Sequence, residues 1–486
     1  MNKDSELVLG IIQTVGTNSA DIIQCIVDSL KKFNYQSEII KVSKTILSEF
    51  HKETLSFDKE FDRINFFMDL GNEIRQKTGD GAILMKGVSA YIYGNYRISN
   101  DGAPREREAY IINSIKHPDE VGFLRNTYGD GFHLIGISDE YEKRKSYLMD
   151  RKNLSPDEAI AILQRDDNEA VKSGQHTRDA YQEADYFINA GGTQKETQES
   201  VFRLLDLLFG NSFISPTFDE YAMFRAYVAS LRSADLSRQI GAVVTKKNEI
   251  IAEGVNDCPK AFGGLYWPVY KDGAYEDEEK GRDYKLGYDS NKKEQTRIIK
   301  EILNKLDIEG SEENYKKVKS SGIGTLTEYG RVVHSEMEAL LMCARNNIST
   351  LECDMYVTTF PCHNCAKHII AAGIKKVVYI EPYPKSKALE FYENEITQSE
   401  KESDKVFFTP FNGVGPHRFV DLFSMQSTRW YAKKRKDDDG NKIDWKREEA
   451  DLRNPMMLLN YLEMEKSAYT QYTQEVNGIR KDEENE

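Results

Sequence analysis

The chain has 486 residues, which at roughly 100–200 residues per domain allows two or three domains, and its 39% hydrophobic and 11% aromatic content suffices for ordinary globular cores. With 66 basic and 80 acidic residues the formal net charge is −14, which repels nucleic-acid backbones at long range and disfavours a large nucleic-acid groove. The first apolar run, Leu7 to Ile12, is too short for a secretory signal or a membrane span. A reduced, cytoplasmic setting is therefore expected. The six cysteines, Cys25, Cys258, Cys343, Cys353, Cys362 and Cys365, read as metal ligands or core residues before disulfides.

Residues 1–215 alternate short apolar runs with helical stretches. Leu7 to Ile12 reads as a strand, Gly16-Thr17-Asn18-Ser19 as a turn, and Ala20 to Phe33 as a helix with apolar residues at Ile22, Ile23, Ile26, Val27 and Leu30. Ser37 to Val42, Ala82 to Met85, Ala109 to Ile112 and Phe132 to Ile137 are expected as further strands. Ser155 to Ala184 is charged and helix-forming. Asp185 to Asn189 and Thr197 to Phe209 close the region as a strand and a helix. This order predicts a parallel α/β sheet.

Ser215-Pro216-Thr217 marks a boundary, and residues 216–425 form a second region. Phe218 to Leu231 is expected as a helix, and Gly241 to Thr245 and Ile250 to Glu253 as a strand pair. A charged, partly helical insertion occupies about 271–325. His334 to Asn346 follows as a helix, Met355 to Thr359 as a strand, Cys362 to Ala372 as a helix ended by Gly373, and Lys376 to Ile380 as a strand. Residues 426–486 form a charged tail whose acidic end is expected to be disordered.

The chemistry concentrates in His334-Ser335-Glu336 and Pro361-Cys362-His363-Asn364-Cys365. Zinc takes nitrogen and sulfur ligands, and three protein ligands leave a position for water. Cys362 and Cys365 are spaced three apart on one helix, and a helix start favours thiolates. His334 supplies the third ligand. Glu336 is placed to move protons and not to bind metal. His363 reads as a loop residue, because a fourth protein ligand would displace the water. Cys343 and Cys353 have apolar neighbours and read as core; Cys258 reads equally as a pocket residue or an inert turn.

This H-x-E and P-C-x-x-C pair resembles the signature of zinc nucleobase deaminases. Ser237 to Val244, Gly254-Val255-Asn256, Val333 to Met337 and Thr358 to Tyr379 further resemble the deoxycytidylate deaminase family in order and spacing. The resemblance implies a five-stranded sheet sandwiched by helices, a three-layer αβα domain, with zinc as cofactor. It implies that Asn256 contacts the sugar, that the backbone N–H of Ser335 holds the cytosine carbonyl, and that the backbone near Thr359 and Phe360 accepts from the amino group. Arg232 and Arg238 are candidate phosphate contacts, with a solvated helix face or a subunit interface as the alternative.

The first region resembles P-loop nucleotide kinases. Its strand, glycine-containing turn and helix start form an anion site of backbone N–H groups, so Gly16, Thr17 and Asn18 are candidate nucleotide contacts. Gly10 to Ser19 departs from G-x4-G-K-[ST] and lacks the phosphate lysine. Nucleotide binding without phosphoryl transfer, or a scaffold with no ligand, is expected. The two regions together resemble bacterial anti-phage cytidine-nucleotide deaminases. That resemblance implies action on dCTP and dCMP that drains the pool during infection, and restraint beforehand, in some systems by a small RNA. A regulatory nucleotide or an inhibitory RNA is an expected partner, and with no run of roughly 20 apolar residues no membrane partner is expected. A homo-oligomer is also expected. Two other classes share parts of this pattern: a polynucleotide-editing deaminase, which wants a basic, aromatic-lined channel, and a nucleotide sensor or kinase with a structural zinc site.

Overall fold

The computed structural model describes residues 4–50, 56–168, 176–383, 386–426 and 433–485. The chain divides into two units, Met1–Glu220 with Phe411–Glu486, and Tyr221–Pro410. Each is a mixture of helices with one principal sheet.

In the first unit, β1 (Leu7–Gln13), β2 (Gln36–Lys41), β3 (Glu108–Ile115), β4 (Phe132–Ser138) and β5 (Tyr186–Asn189) lie parallel in the order β5-β4-β1-β3-β2. The short strand Gly413–Val414 adds antiparallel to β5. β1 and β4 are buried almost end to end, which explains their continuous apolar sequence: a central parallel strand is covered on both faces. From β1 the chain runs through α1 (Ala20–Leu30) to β2, returns to β3, and then crosses β1 to reach β4. The order reverses beside β1, where a parallel sheet opens a crevice at its carboxyl ends.

One expectation changes in this unit. Ala82 to Met85 is not a strand: it leads into the helix Ile83–Ile92, in which Ile83, Leu84, Met85, Val88 and Ile92 are all buried. A helix buried all round loses its amphipathic period and imitates a buried strand. The stretch 155–184 contains the helices Pro156–Asn168 and Thr177–Tyr181; residues 169–175 lie outside the described residues. The charged tail carries regular structure. Its long helix Leu458–Asn485 buries Tyr461, Ala468, Tyr472 and Val476. Glu465 on that helix and Glu6 clamp the buried Arg97, at 2.8 and 2.7 Å, so two carboxylates are neutralised in part by one guanidinium fork.

In the second unit, β6 (Gly241–Lys246), β7 (Glu249–Val255), β8 (Asp354–Thr359), β9 (Lys376–Glu381), β10 (Ile396–Thr397) and β11 (Val406–Pro410) form a sheet in the order β10-β11-β9-β8-β6-β7. β6 pairs antiparallel with β7 and β8, whereas β8, β9, β11 and β10 run parallel. This is one strand more than the five expected. The insertion carries α2 (Ser290–Lys305), and the motif residues begin α3 (Ser335–Arg345) and α4 (His363–Ala371). Ala339 and Cys343 from α3, Ala366 and Ile369 from α4, and Ala242, Val244, Met355, Val357 and Val377 from the sheet share one core with Cys353. Gly254 in β7 allows α3 to start where it does: a Cβ there would stand 2.1 Å from Ser335 O and 2.4 Å from Ala339 N.

Candidate active site

Two helix starts bring the motif residues together. His334 is the N-cap of α3 and Cys362 the N-cap of α4, both with extended backbone. Cys365 lies in the first turn of α4. His334 Nδ1 is 3.4 Å from Cys362 Sγ and 3.3 Å from Cys365 Sγ, and the three ligand atoms lie within 4.8 Å of one another, the metal-capable group found among the described residues. One imidazole nitrogen and two sulfurs are a donor set that suits zinc. His363 stays out of the group. It opens α4 and is not a loop residue, because the helix begins directly after its N-cap Cys362. Its ring meets Phe391 edge-on at 5.8 Å, and its buried Nδ1 has no hydrogen-bond partner among the described residues. Three protein donors leave one coordination position open, the pattern of a catalytic zinc site.

The three donors share protons. The Cys362 thiol is drawn down to about 4, first by its hydrogen bond with Cys365 and then by His334. The same hydrogen bond, with burial, pushes Cys365 well up. His334 is raised to about 9, first by its hydrogen bond with Cys362. A bound cation takes the place of those protons. Glu336 is 5% exposed; burial raises its carboxyl, and it accepts a hydrogen bond from Ser335 Oγ at 3.0 Å.

His334, Ser335, Glu336 and Cys362 form one wall of a cavity of about 370 Å³, and Arg238, Asn256, Thr359 and Phe360 also line it. Asn256 is largely committed to the protein: its Oδ1 accepts from Ile240 N and its Nδ2 donates to Arg238 O, both at 2.7 Å. Phe360 N–H donates to Glu381 O at 2.7 Å. Arg232 is not brought to the cavity. It donates to Tyr266 O at 2.8 Å and stacks over Trp267, 3.7 Å from the ring centre. Cys258 is absent from the cavity wall as well; it is buried against Asp283, and burial pushes its thiol up to about 11.

Several lining or supporting residues carry no sequence motif. Glu381, 2% exposed, ends β9 and binds both Arg238 and Thr359. The insertion supplies a wall: Asn291, Lys292 and Gln295 of α2 line the cavity, and Asn291 and Gln295 hold Leu326 O at 2.7 and 2.6 Å. The charged pattern of this segment reads as a solvated face, and its apolar residues alone give no sign of a pocket.

In the first unit, the turn after β1 is tightly enclosed. Gly16 has φ +84°, and a Cβ there would lie 2.8 Å from Arg144 O. The Val15 N–H is taken by the buried carboxylate of Asp166 at 2.7 Å. Asn18 donates to Asp21 at 3.1 Å. A lysine does reach this turn, from the end of β3: Lys116 Nζ donates to Gln13 O at 2.8 Å.

Residues 216–381 match the model of a family described as the cytidine and deoxycytidylate deaminase zinc-binding region. The deoxycytidylate deaminase of Enterobacteria phage T2 is 34% identical over 164 residues, which are 33% of this chain and 79% of that protein. The chain belongs to the deoxycytidylate deaminase family. The human member is 29% identical over 162 residues, 33% of this chain and 63% of its own. Among solved structures, the dCMP deaminase of cyanophage S-TIM5, in complex with dCMP and dUMP, is 20% identical; the match covers 41% of this chain and 100% of that one, with a TM-score of 0.24. No helix among the described residues is long and apolar enough to cross a membrane.

Proposed function

We propose that this member of the deoxycytidylate deaminase family removes the exocyclic amino group of cytosine from deoxycytidine nucleotides by hydrolysis. One observation carries the reading: His334, Cys362 and Cys365 converge beside the buried Glu336 at a cavity of nucleotide size. Those three side chains would hold zinc, which would supply a water with a pKa of about 7 and hence a nucleophile at neutral pH. Glu336 takes the proton of the attacking water, passes a proton to the ring nitrogen, and delivers one to the leaving ammonia. A C–O bond forms, the C–N bond breaks, and one water is consumed. The Ser335 N–H holds the ring carbonyl, and carbonyls of the Thr359–Phe360 segment accept from the amino group.

The sugar and phosphates complete the reading. Asn256 faces the sugar with what remains of its amide, giving a deoxyribose preference, since a buried polar group left unpaired discriminates sharply. Arg238 takes the phosphate, with Lys292 at the cavity mouth. The monophosphate and the triphosphate are both substrates, and draining that pool in antiviral defence is the role that the two-part chain's resemblance supports. The test is ammonia release from zinc-loaded enzyme across deoxycytidine, dCMP, dCTP, CTP and a cytosine-bearing oligonucleotide. Release from dCMP or dCTP well above CTP and the oligonucleotide is the expected result. No release from any nucleotide overturns the proposal, and equal rates on dCTP and CTP overturn its sugar preference.

A further inference from the structure

A second cavity, of about 440 Å³, lies within the first unit and includes the ends of β1 and β3, through Gln13, Asn113 and Ser114. Its volume falls in the roughly 300–1,000 Å³ range of small-molecule sites. It sits at strand carboxyl ends beside the reversal in sheet order, where open parallel sheets take ligands.

Its charge is opposite to that of the chain. Lys41, Arg63, Arg75, Lys116 and Lys152 line it against one carboxylate, Glu120, in a protein of formal charge −14. Glu60, at the rim, pairs with Arg63 and, at 3.0 Å, with Lys152. The inner arginine is different. Arg75, its side chain 2% exposed, donates Nη2 to Glu120 Oε1 at 2.7 Å, while its Nε and Nη1 have no hydrogen-bond partner among the described residues. Glu120 is itself fixed, because its other oxygen accepts the backbone N–H groups of Lys116 and His117 at 2.8 and 3.1 Å. The pair therefore presents two donors of a rigid fork with no acceptor, a costly state that an incoming anion relieves.

The neighbouring cation points the same way. Lys116 Nζ lies 3.5 Å from Asp166 Oδ1, and Asp166 Oδ2 accepts from Val15 N, so an oxyanion of the protein already occupies one edge of this pole. The lining also includes Ile64, Phe67, Met68 and Leu84, the first three on the helix that carries Arg63 and Arg75. Gln13 Oε1 adds a buried acceptor with no partner among the described residues. Cations set beside apolar and aromatic side chains suit a ligand that carries both phosphates and a flat heterocycle.

We propose that this cavity binds a nucleoside polyphosphate, with its phosphates on Arg75 and Lys116 and its base against Phe67 and Met68. The contact thereby moves from the turn itself to two cations delivered by other elements; Gly16 and Thr17 form part of the wall. The proposal stands apart from the deaminase reading, since the cavity belongs wholly to the first unit.

The test is calorimetric titration of ATP, GTP and inorganic triphosphate into the full-length Glu336→Gln protein, with saturating dCMP present to fill the deaminase cavity. One ATP or GTP per chain is expected, bound more tightly than triphosphate. Arg75→Met and Lys116→Met should each weaken binding about tenfold or more, the scale of a lost charge-assisted hydrogen bond. Should Arg75→Met fail to fold, the rim double variant Arg63→Ala/Lys152→Ala, with Lys116→Met, decides. No binding of any probe at millimolar concentration, or affinity unchanged in both Lys116→Met and the rim variant, overturns the proposal. Triphosphate binding as tightly as ATP overturns its nucleoside half.

Discussion

Arg238 and Glu381 form an ion pair at 2.5 Å, and the second oxygen of Glu381 accepts from Thr359 Oγ1 at 2.9 Å. One buried carboxylate thus fixes a cation and a wall residue of the proposed nucleotide cavity. Charge-assisted hydrogen bonds are roughly twice as strong as neutral ones, so Glu381→Gln should loosen both contacts without reaching the metal donors. The expected outcome is unchanged zinc content and a KM for dCMP raised about tenfold, with kcat changed much less, the signature of lost binding. A fall in kcat at constant KM would show that Glu381 does not act through substrate positioning.

Glu336 is tested by its amide and by truncation. Glu336→Gln and Glu336→Ala should retain the fold and bound zinc, because the donor set is His334, Cys362 and Cys365. Turnover should fall by about 10²–10⁴-fold, the usual contribution of a positioned acid–base group. Elemental analysis alongside the ammonia assay separates loss of metal from loss of proton transfer, and retention of more than a tenth of the rate places the shuttle elsewhere.

The residues that form the donor set were legible because their signal is local: a histidine and a glutamate two apart, and two cysteines three apart at a helix start. Glu381 was not, since an acid at a strand end becomes informative only when Arg238, 143 residues earlier, is beside it. The insertion was recognised but its wall was not, for Asn291 and Gln295 act by gripping the backbone at Leu326. In the first unit the sheet followed from alternation of apolar runs, while the helix Ile83–Ile92 was misread because its burial removed the period. The first turn lacks the lysine of the G-x4-G-K-[ST] pattern, yet Lys116, just past β3, reaches Gln13 at the end of β1, a juxtaposition that only the parallel pairing of β1 with β3 creates.

Gly254 offers a test of how the site is assembled. A methyl group there meets the backbone of α3 at Ser335 and Ala339, and backbone cannot swing aside as a side chain can. Gly254→Ala should destabilise the protein by about 1–3 kcal/mol or more, as overpacking does. Because α3 opens on His334, the variant should also hold zinc more weakly than Val255→Ala, a control at the adjacent strand position. Equal melting temperatures and zinc retention in Gly254→Ala and wild type would contradict the close approach.

His133 supplies the pH prediction. It lies in β4, 4% exposed, and burial, with Arg418 nearby, pushes its imidazole down to about 3. In the unfolded chain the same group titrates near 6.5. Between those values the unfolded state binds a proton that the folded state refuses, so stability is full above about pH 6.5 and falls as the pH drops toward 3. At pH 5 the loss from this one histidine is about 2 kcal/mol, from a limiting slope of about 1.4 kcal/mol per pH unit. His117 and His417, whose imidazoles burial also lowers, add slopes of the same sign. His133→Gln removes one of these protons and keeps a polar side chain. Urea denaturation at pH 7.5 and pH 5 should therefore show the variant losing about 2 kcal/mol less than wild type across that interval, the contributions of the carboxyl groups being common to both proteins. Parallel losses in the two proteins would mean that the folded state admits a proton at His133, and that its burial does not govern acid stability.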